Sequence, residues 1–220
     1  VTFSAMPFLD LKTIVVVGLA LEGICTLVMA GMWRQARRQY EGLGLWALDF
    51  ALQVLGLFLI LLRGIVPDWA SIFLANLAIL AGAWLGLRGL EIFVGRKRSQ
   101  LHNGLVLGVF GLIHAYLSFI HPDLALRSLN LAAALLFIFV QCAELMLHGV
   151  DVSMRRFTRW VGVAFALYSA LFAFRIAALA GHSHLAGDYF RAGPAEALFH
   201  LAIQMLFVLL PMLLIGTALL

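Results

Sequence analysis

Polar residues set inside long apolar runs are where this chain could do chemistry. Near one end of those runs stand Arg63, Asn76, His114, Arg175, His200 and Gln204, with Arg127, His121 and Asn130 at similar height. His200 and Gln204 are four apart and share a helix face. Carboxylates are scarce at that level, where only Asp68, Asp123 and Glu196 stand at the rim. Guanidinium, imidazole and amide donors together suit a carboxylate or a phosphate. Two readings stand side by side. The arginines anchor to lipid headgroups by snorkelling, or the six residues converge on one outward-facing cavity for a small anionic or amphipathic ligand.

A second polar layer lies nearer the other end: Asp49, Arg88, Glu91 and Glu144. Arg88 and Glu91 are three apart on one helix face. Ion pairs and hydrogen bonds that tie helices together are the expected role. Glu22 alone lies near the middle of a run, whereas a proton relay needs a chain of partners.

Other chemistries find less support. His182-x-His184 has metal-compatible side chains without a third fixed ligand, so no metal site is expected. Haem would need a pair such as His114 and His200, and no CxxCH attachment motif occurs. A retinal Schiff base needs a lysine in the last run, but the lysines are Lys12 and Lys97. Cys25 and Cys142 sit inside apolar runs and read as small buried residues. No phosphate-binding glycine loop, nucleophile elbow or HExxH motif is present. The expectation is a chain with no catalytic residues and no cofactor of its own.

The elements that must position these residues are membrane helices. The chain is 64% hydrophobic and 12% charged, with mean hydropathy +1.03. A soluble domain is about half apolar and a quarter charged. Crossing the hydrocarbon core takes roughly 20 apolar residues. Seven such spans are expected, over 12–33, 43–62, 69–93, 104–120, 126–148, 159–180 and 195–219. Helices suit lipid because they satisfy their own backbone, and a barrel would show short alternating segments instead. The predicted fold is all-α: one seven-helix domain over residues 1–220.

Basic residues set the expected orientation. Arg34, Arg37 and Arg38 follow the first span, Arg96, Lys97 and Arg98 the third, and Arg155, Arg156 and Arg159 the fifth. The alternate loops pair single arginines with acids: Arg63 with Asp68, Arg127 with Asp123 and Arg191 with Asp188. The positive-inside rule then places the N-terminus outside and the C-terminus in the cytoplasm. The net charge of +4 comes largely from these loops and points to no nucleic-acid partner. Lys12 precedes a long span with no small-residue cleavage site, so the first span is not a cleaved signal. The last span runs to Leu220 without a basic flank, and the expectation is a protein that continues beyond it.

A faint repeat runs through the spans. Pro67-Asp68 leads to Asn76-Leu77-Ala78, and Pro122-Asp123 leads to Asn130-Leu131-Ala132. The spans group as one leading helix plus three hairpins: two–three, four–five and six–seven. Gly82 and Gly86, and Gly104 and Gly108, form two GxxxG pairs for packing within the bundle or for a dimer seam.

Several of these segments resemble a known family. Leu9-Asp10-Leu11-Lys12-Thr13, Gly42-Leu43-Gly44-Leu45-Trp46-Ala47-Leu48, Leu62-Arg63 with Pro67-Asp68-Trp69, Leu74-Ala75-Asn76, Gly82, Gly89-Leu90 and Phe93-Val94-Gly95-Arg96 look like the membrane part of bacterial GGDEF proteins. Leu213-Leu214 to Thr217-Ala218-Leu219 resembles the last span before their signalling linker. The similarity is clearest over 9–96. It implies the sensory membrane domain of a diguanylate cyclase. That family's cytoplasmic domain, absent from this sequence, condenses two GTP into cyclic di-GMP with magnesium and acts as a homodimer. A hairpin-repeat transporter or channel and a passive membrane anchor are the alternatives. Two separated polar layers, with no midplane site on broken helices, weigh against the transporter.

Overall fold

The computed structural model describes residues 11–96, 99–181 and 194–219. Seven helices, each long and apolar enough to cross a membrane, make up nearly all of them. They are α1 (Leu11–Ala36), α2 (Leu43–Leu61), α3 (Ala75–Phe93), α4 (Leu101–Ala115), α5 (Leu124–His148), α6 (Val152–Gly181) and α7 (Pro194–Leu219). Two π-helical turns extend them, Trp69–Leu74 ahead of α3 and Tyr116–Ile120 after α4. With those turns, the third span runs from Trp69 to Phe93 and the fourth from Leu101 to Ile120.

The expected spans agree with these helices within a few residues, except at the start of α6. A loop carrying Arg155, Arg156 and Arg159 was expected there. All three are exposed and already helical. A helix satisfies its own backbone on either side of the lipid boundary, so the apolar stretch marks the span and not the helix. The helix begins beside Asp151, whose carbonyl accepts the amides of Met154 and Arg155 at 3.0 Å each. Lys97, Arg98, Asp188, Arg191 and Leu220 lie outside the described residues, as do Leu9 and Asp10 of the quoted segments.

Six helices close a ring. α1 packs on α2, α2 on α3, α3 on α5, α5 on α6, α6 on α7, and α7 back on α1. α4 stands outside the ring against α3 and α5. This redraws the three-hairpin grouping, because α5 packs far more extensively on α6 than on α4.

Small residues explain the tight seams. A Cβ on Gly82 would lie 2.9 Å from the Asp49 carboxylate, and one on Gly86 would run into it. This GxxxG pair therefore serves α2–α3 contact inside one chain and is not free for a dimer seam. Gly104 and Gly108 differ, for nothing lies within 4 Å of where their Cβ atoms would be. Gly42 opens α2 in the left-handed region, with φ at 93°, where side chains are strained. It lies against the Gly89 carbonyl, and Trp46 packs beside it, 5.2 Å from the Phe93 ring. Gly42, Trp46, Gly82, Gly89 and Phe93, all within the segments quoted for the resemblance, seat α2 on α3.

One polar contact bridges most seams. Gln53 Nε2 donates to Ile79 O between α2 and α3, at 3.2 Å. Thr158 Oγ1 donates to Met146 O between α5 and α6, at 2.9 Å. Tyr168 Oη donates to Ile203 O between α6 and α7, at 3.3 Å. Such bonds contribute roughly 0.6–1.7 kcal/mol each in membrane proteins.

Candidate functional site

The ring is hollow. Its walls leave about 170 Å³ open to the centres of water-sized atoms, in a cavity lined from all six ring helices. α4 contributes no lining residue.

Arginines gather at one end. Arg63 follows the last turn of α2, where its amide donates to Ile60 O at 3.1 Å and Gly64, with φ at 86°, turns the chain. Arg127 occupies the first turn of α5, held by the Asp123 cap, whose Oδ1 accepts the Leu126 amide at 2.9 Å. Arg175 reaches in from α6, and Asn76 and His200 complete this end from α3 and α7. Arg175 is neutralised within the chain. It bonds Glu196 at 3.0 Å and lies 4.3 Å over the Phe199 ring.

The middle is apolar and aromatic. Leu57, Ile79, Leu131, Phe139, Phe172 and Phe207 face it, with Phe139 and Phe172 5.6 Å apart. The opposite end is acidic, with Glu22 from α1 and Asp49 from α2. Gln53 Nε2 donates to Asp49 Oδ1 at 3.0 Å.

Four of the six residues expected to converge do line this cavity: Arg63, Asn76, Arg175 and His200. His114 and Gln204 do not. His114 belongs to α4, behind α3, and is 0% exposed. Its Nε2 lies 3.0 Å from Asn76 Nδ2, and its ring stacks on Phe110 at 4.9 Å. Gln204 is spent on the α1–α7 seam, where its amide lies over Gly18 and donates to Ile14 O at 3.0 Å. The absence of a side chain at Gly18 lets α7 come close enough for that bond. Since His200 faces the cavity and His114 does not, the two cannot ligate one haem.

The expected inner layer divides three ways. Asp49 joins the cavity. Arg88 and Glu91 form an ion pair at 3.2 Å, within a network that ties α3 to the start of α4. Gln100 donates to Glu91 Oε2 at 2.7 Å and accepts from Trp84 Nε1 at 2.9 Å. Glu144 is exposed on α5.

Sequence reasoning left Arg127 and Glu22 out of the binding set. The signal for Arg127 was present. Leu124, Ser128, Leu131, Leu135 and Cys142 recur at helical spacing and all face the cavity, and Arg127 opens the same stripe. Glu22 stood alone in α1, and nothing in its own helix pointed to Asp49. The repeat has a role too. Asn76 reaches His114 and Asn130 donates to Phe110 O at 3.2 Å, so its two asparagines hold α4 from both sides.

Among the described residues no group of three His, Cys, Asp or Glu could hold a metal ion. His182 and His184 lie outside them. No family model, curated protein or solved structure matches the chain.

Proposed function

We propose that this chain is the membrane-embedded receptor part of a signalling protein, and that its cavity takes an anionic amphiphile. One observation carries the reading: a hollow six-helix ring with Arg63, Arg127 and Arg175 at one end and an apolar interior beyond them. No carboxylate among the described residues forms an ion pair with Arg127. Arg127 is half-buried at the mouth of an apolar cavity, where cations are costly unless neutralised, and a carboxylate or phosphate head would add the charge there. Alkyl contact with the aromatic interior would add burial.

The output side rests on the resemblance alone. On that reading the chain lies N-out and C-in in a bacterial inner membrane and forms a homodimer. It passes occupancy to a cytoplasmic GGDEF domain that makes cyclic di-GMP from GTP with magnesium. α7 is the connecting element, and Thr217 Oγ1, which donates to Phe157 O at 3.2 Å, ties its end to α6.

A transporter reading gains one observation. The two polar layers that look separate in sequence are joined by one cavity reaching from Arg63 to Asp49. Flux of a fatty acid through proteoliposomes would favour this second reading.

The receptor reading is tested by native mass spectrometry of the chain released from nanodiscs. An anionic single-chain or phospholipid adduct, lost in Arg127→Gln, is expected. Bare protein across lipid compositions, with no adduct on adding fatty acids, would remove the reading.

A further inference from the structure

The acidic end of the cavity has no role in holding an anionic head. Glu22 is 7% exposed, and its side chain lines the cavity. Among the described residues its carboxyl has no hydrogen bond or ion pair; only its backbone carbonyl is used, by Thr26 Oγ1 at 2.8 Å. Asp49 lines the same end with one donor, Gln53. A carboxyl group among apolar side chains is costly when no donor meets it. Trp46 Nε1 and His114 Nδ1 are also buried without a partner among the described residues, but neither lines the cavity; Glu22 does, and an unmet acid facing open space points to an occupant.

Dimensions narrow the occupant. Asp49 and Arg63 are fourteen residues apart along α2 and its last turn, which is about 20 Å at 1.5 Å per residue. Spread over that length, the open volume gives a channel roughly 3 Å in radius once a water's own radius is added. That is one alkyl chain wide. An extended chain advances about 1.2 Å per bond, so about 14 to 16 carbons reach from the arginines to the acids. The tail of an ordinary fatty acid would end against Glu22 and Asp49, leaving Glu22 unmet and Asp49 with Gln53 alone.

We infer that the acidic end is a second recognition site, taking the hydrogen-bond-donating terminus, hydroxyl or ammonium, of a single-chain anionic amphiphile whose head lies at the arginines. The inference rests on the receptor reading and deepens it. Arg127 and Arg63 select the head, the aromatic throat admits one chain, and Glu22 with Asp49 reads the far end.

Competition between matched ligands tests it on the intact chain. Equimolar palmitate and ω-hydroxypalmitate, and separately myristate and ω-hydroxymyristate, are offered in detergent, and native mass spectrometry reads the occupancy ratio. The hydroxylated ligand is expected to win by about tenfold at the length that fits, the effect of one buried hydrogen bond. Glu22→Leu should bring the ratio towards one, and Glu22→Gln, which keeps an acceptor, should retain most of it. Preference for an ω-amino acid over the ω-hydroxy acid would assign the terminus as cationic. Equal binding of plain and hydroxylated acids by the parent chain overturns the inference and leaves the receptor reading intact. Binding of none of them overturns both.

Discussion

The flank where α4 meets α3 and α5 and the cavity inside the ring are built from the same kinds of residue, at the same depths, with opposite results. The flank holds His114, Asn130, Asn103, Gln141, Glu91 and Arg88. Each finds a protein partner: Gln141 Nε2 donates to Asn103 Oδ1 at 2.9 Å, and Arg88 bonds Glu91. The cavity holds Arg127 and Glu22, whose side chains have no hydrogen bond or ion pair among the described residues, and Asp49, which has Gln53 alone. Depth and residue type therefore do not separate a structural polar group from a binding one in a membrane helix. The decisive quantity is whether the neighbouring helix supplies the partner.

The comparison also explains why α4 can be secured with little close packing. Leu101, Leu105 and Leu112 on α4 are 72%, 61% and 75% exposed, so that face offers its surface to lipid. Lipid tails are as apolar as leucine and do not drive helices together. The polar bonds to Asn76, Asn130 and Gln141 take over that task.

The sharpest test contrasts two glycine pairs. Gly86→Leu would drive a side chain into Asp49, and a loss of about 3 kcal/mol of stability is expected. Gly104→Leu, on the open face of α4, should stay within about 0.5 kcal/mol. Thermal unfolding in detergent reads both. Equal losses would mean that the α4 face is covered in solution and that a dimer seam lies there.

A smaller effect is expected at the flank. Asn130→Leu removes the donor to Phe110 O and should cost about 1 kcal/mol, while amphiphile occupancy stays at the parent level. Loss of occupancy without loss of stability would join the flank to the site and dissolve the contrast.

The least costly change to the fold is expected at the cavity. Arg127→Gln should alter stability by no more than about 0.5 kcal/mol, yet abolish the adduct of an anionic amphiphile. Arg175 is a poorer probe, because its bond to Glu196 also holds α6 to α7. A large loss of stability in Arg127→Gln would return that arginine to the structural class.

Composition and hydropathy alone determined the seven helices and, the start of α6 apart, their approximate bounds, because lipid leaves a spanning chain little choice but to bond its own backbone. They also marked Arg63, Asn76, Arg175 and His200 as a set at one depth. Height along a helix follows directly from residue number. Azimuth relative to a neighbour does not, since it depends on which helix arrives there and how closely. That is why Gln204, four residues from His200, turned out to serve Gly18 and α1. It is also why His114, level with the arginines, sits behind α3 on a helix outside the ring. The same limit kept Asp49 and Glu22 in separate accounts, although they face one cavity. Only the packing of α1 against α2, and the exclusion of α4 from the ring, decided which polar groups line the cavity and which are turned away from it.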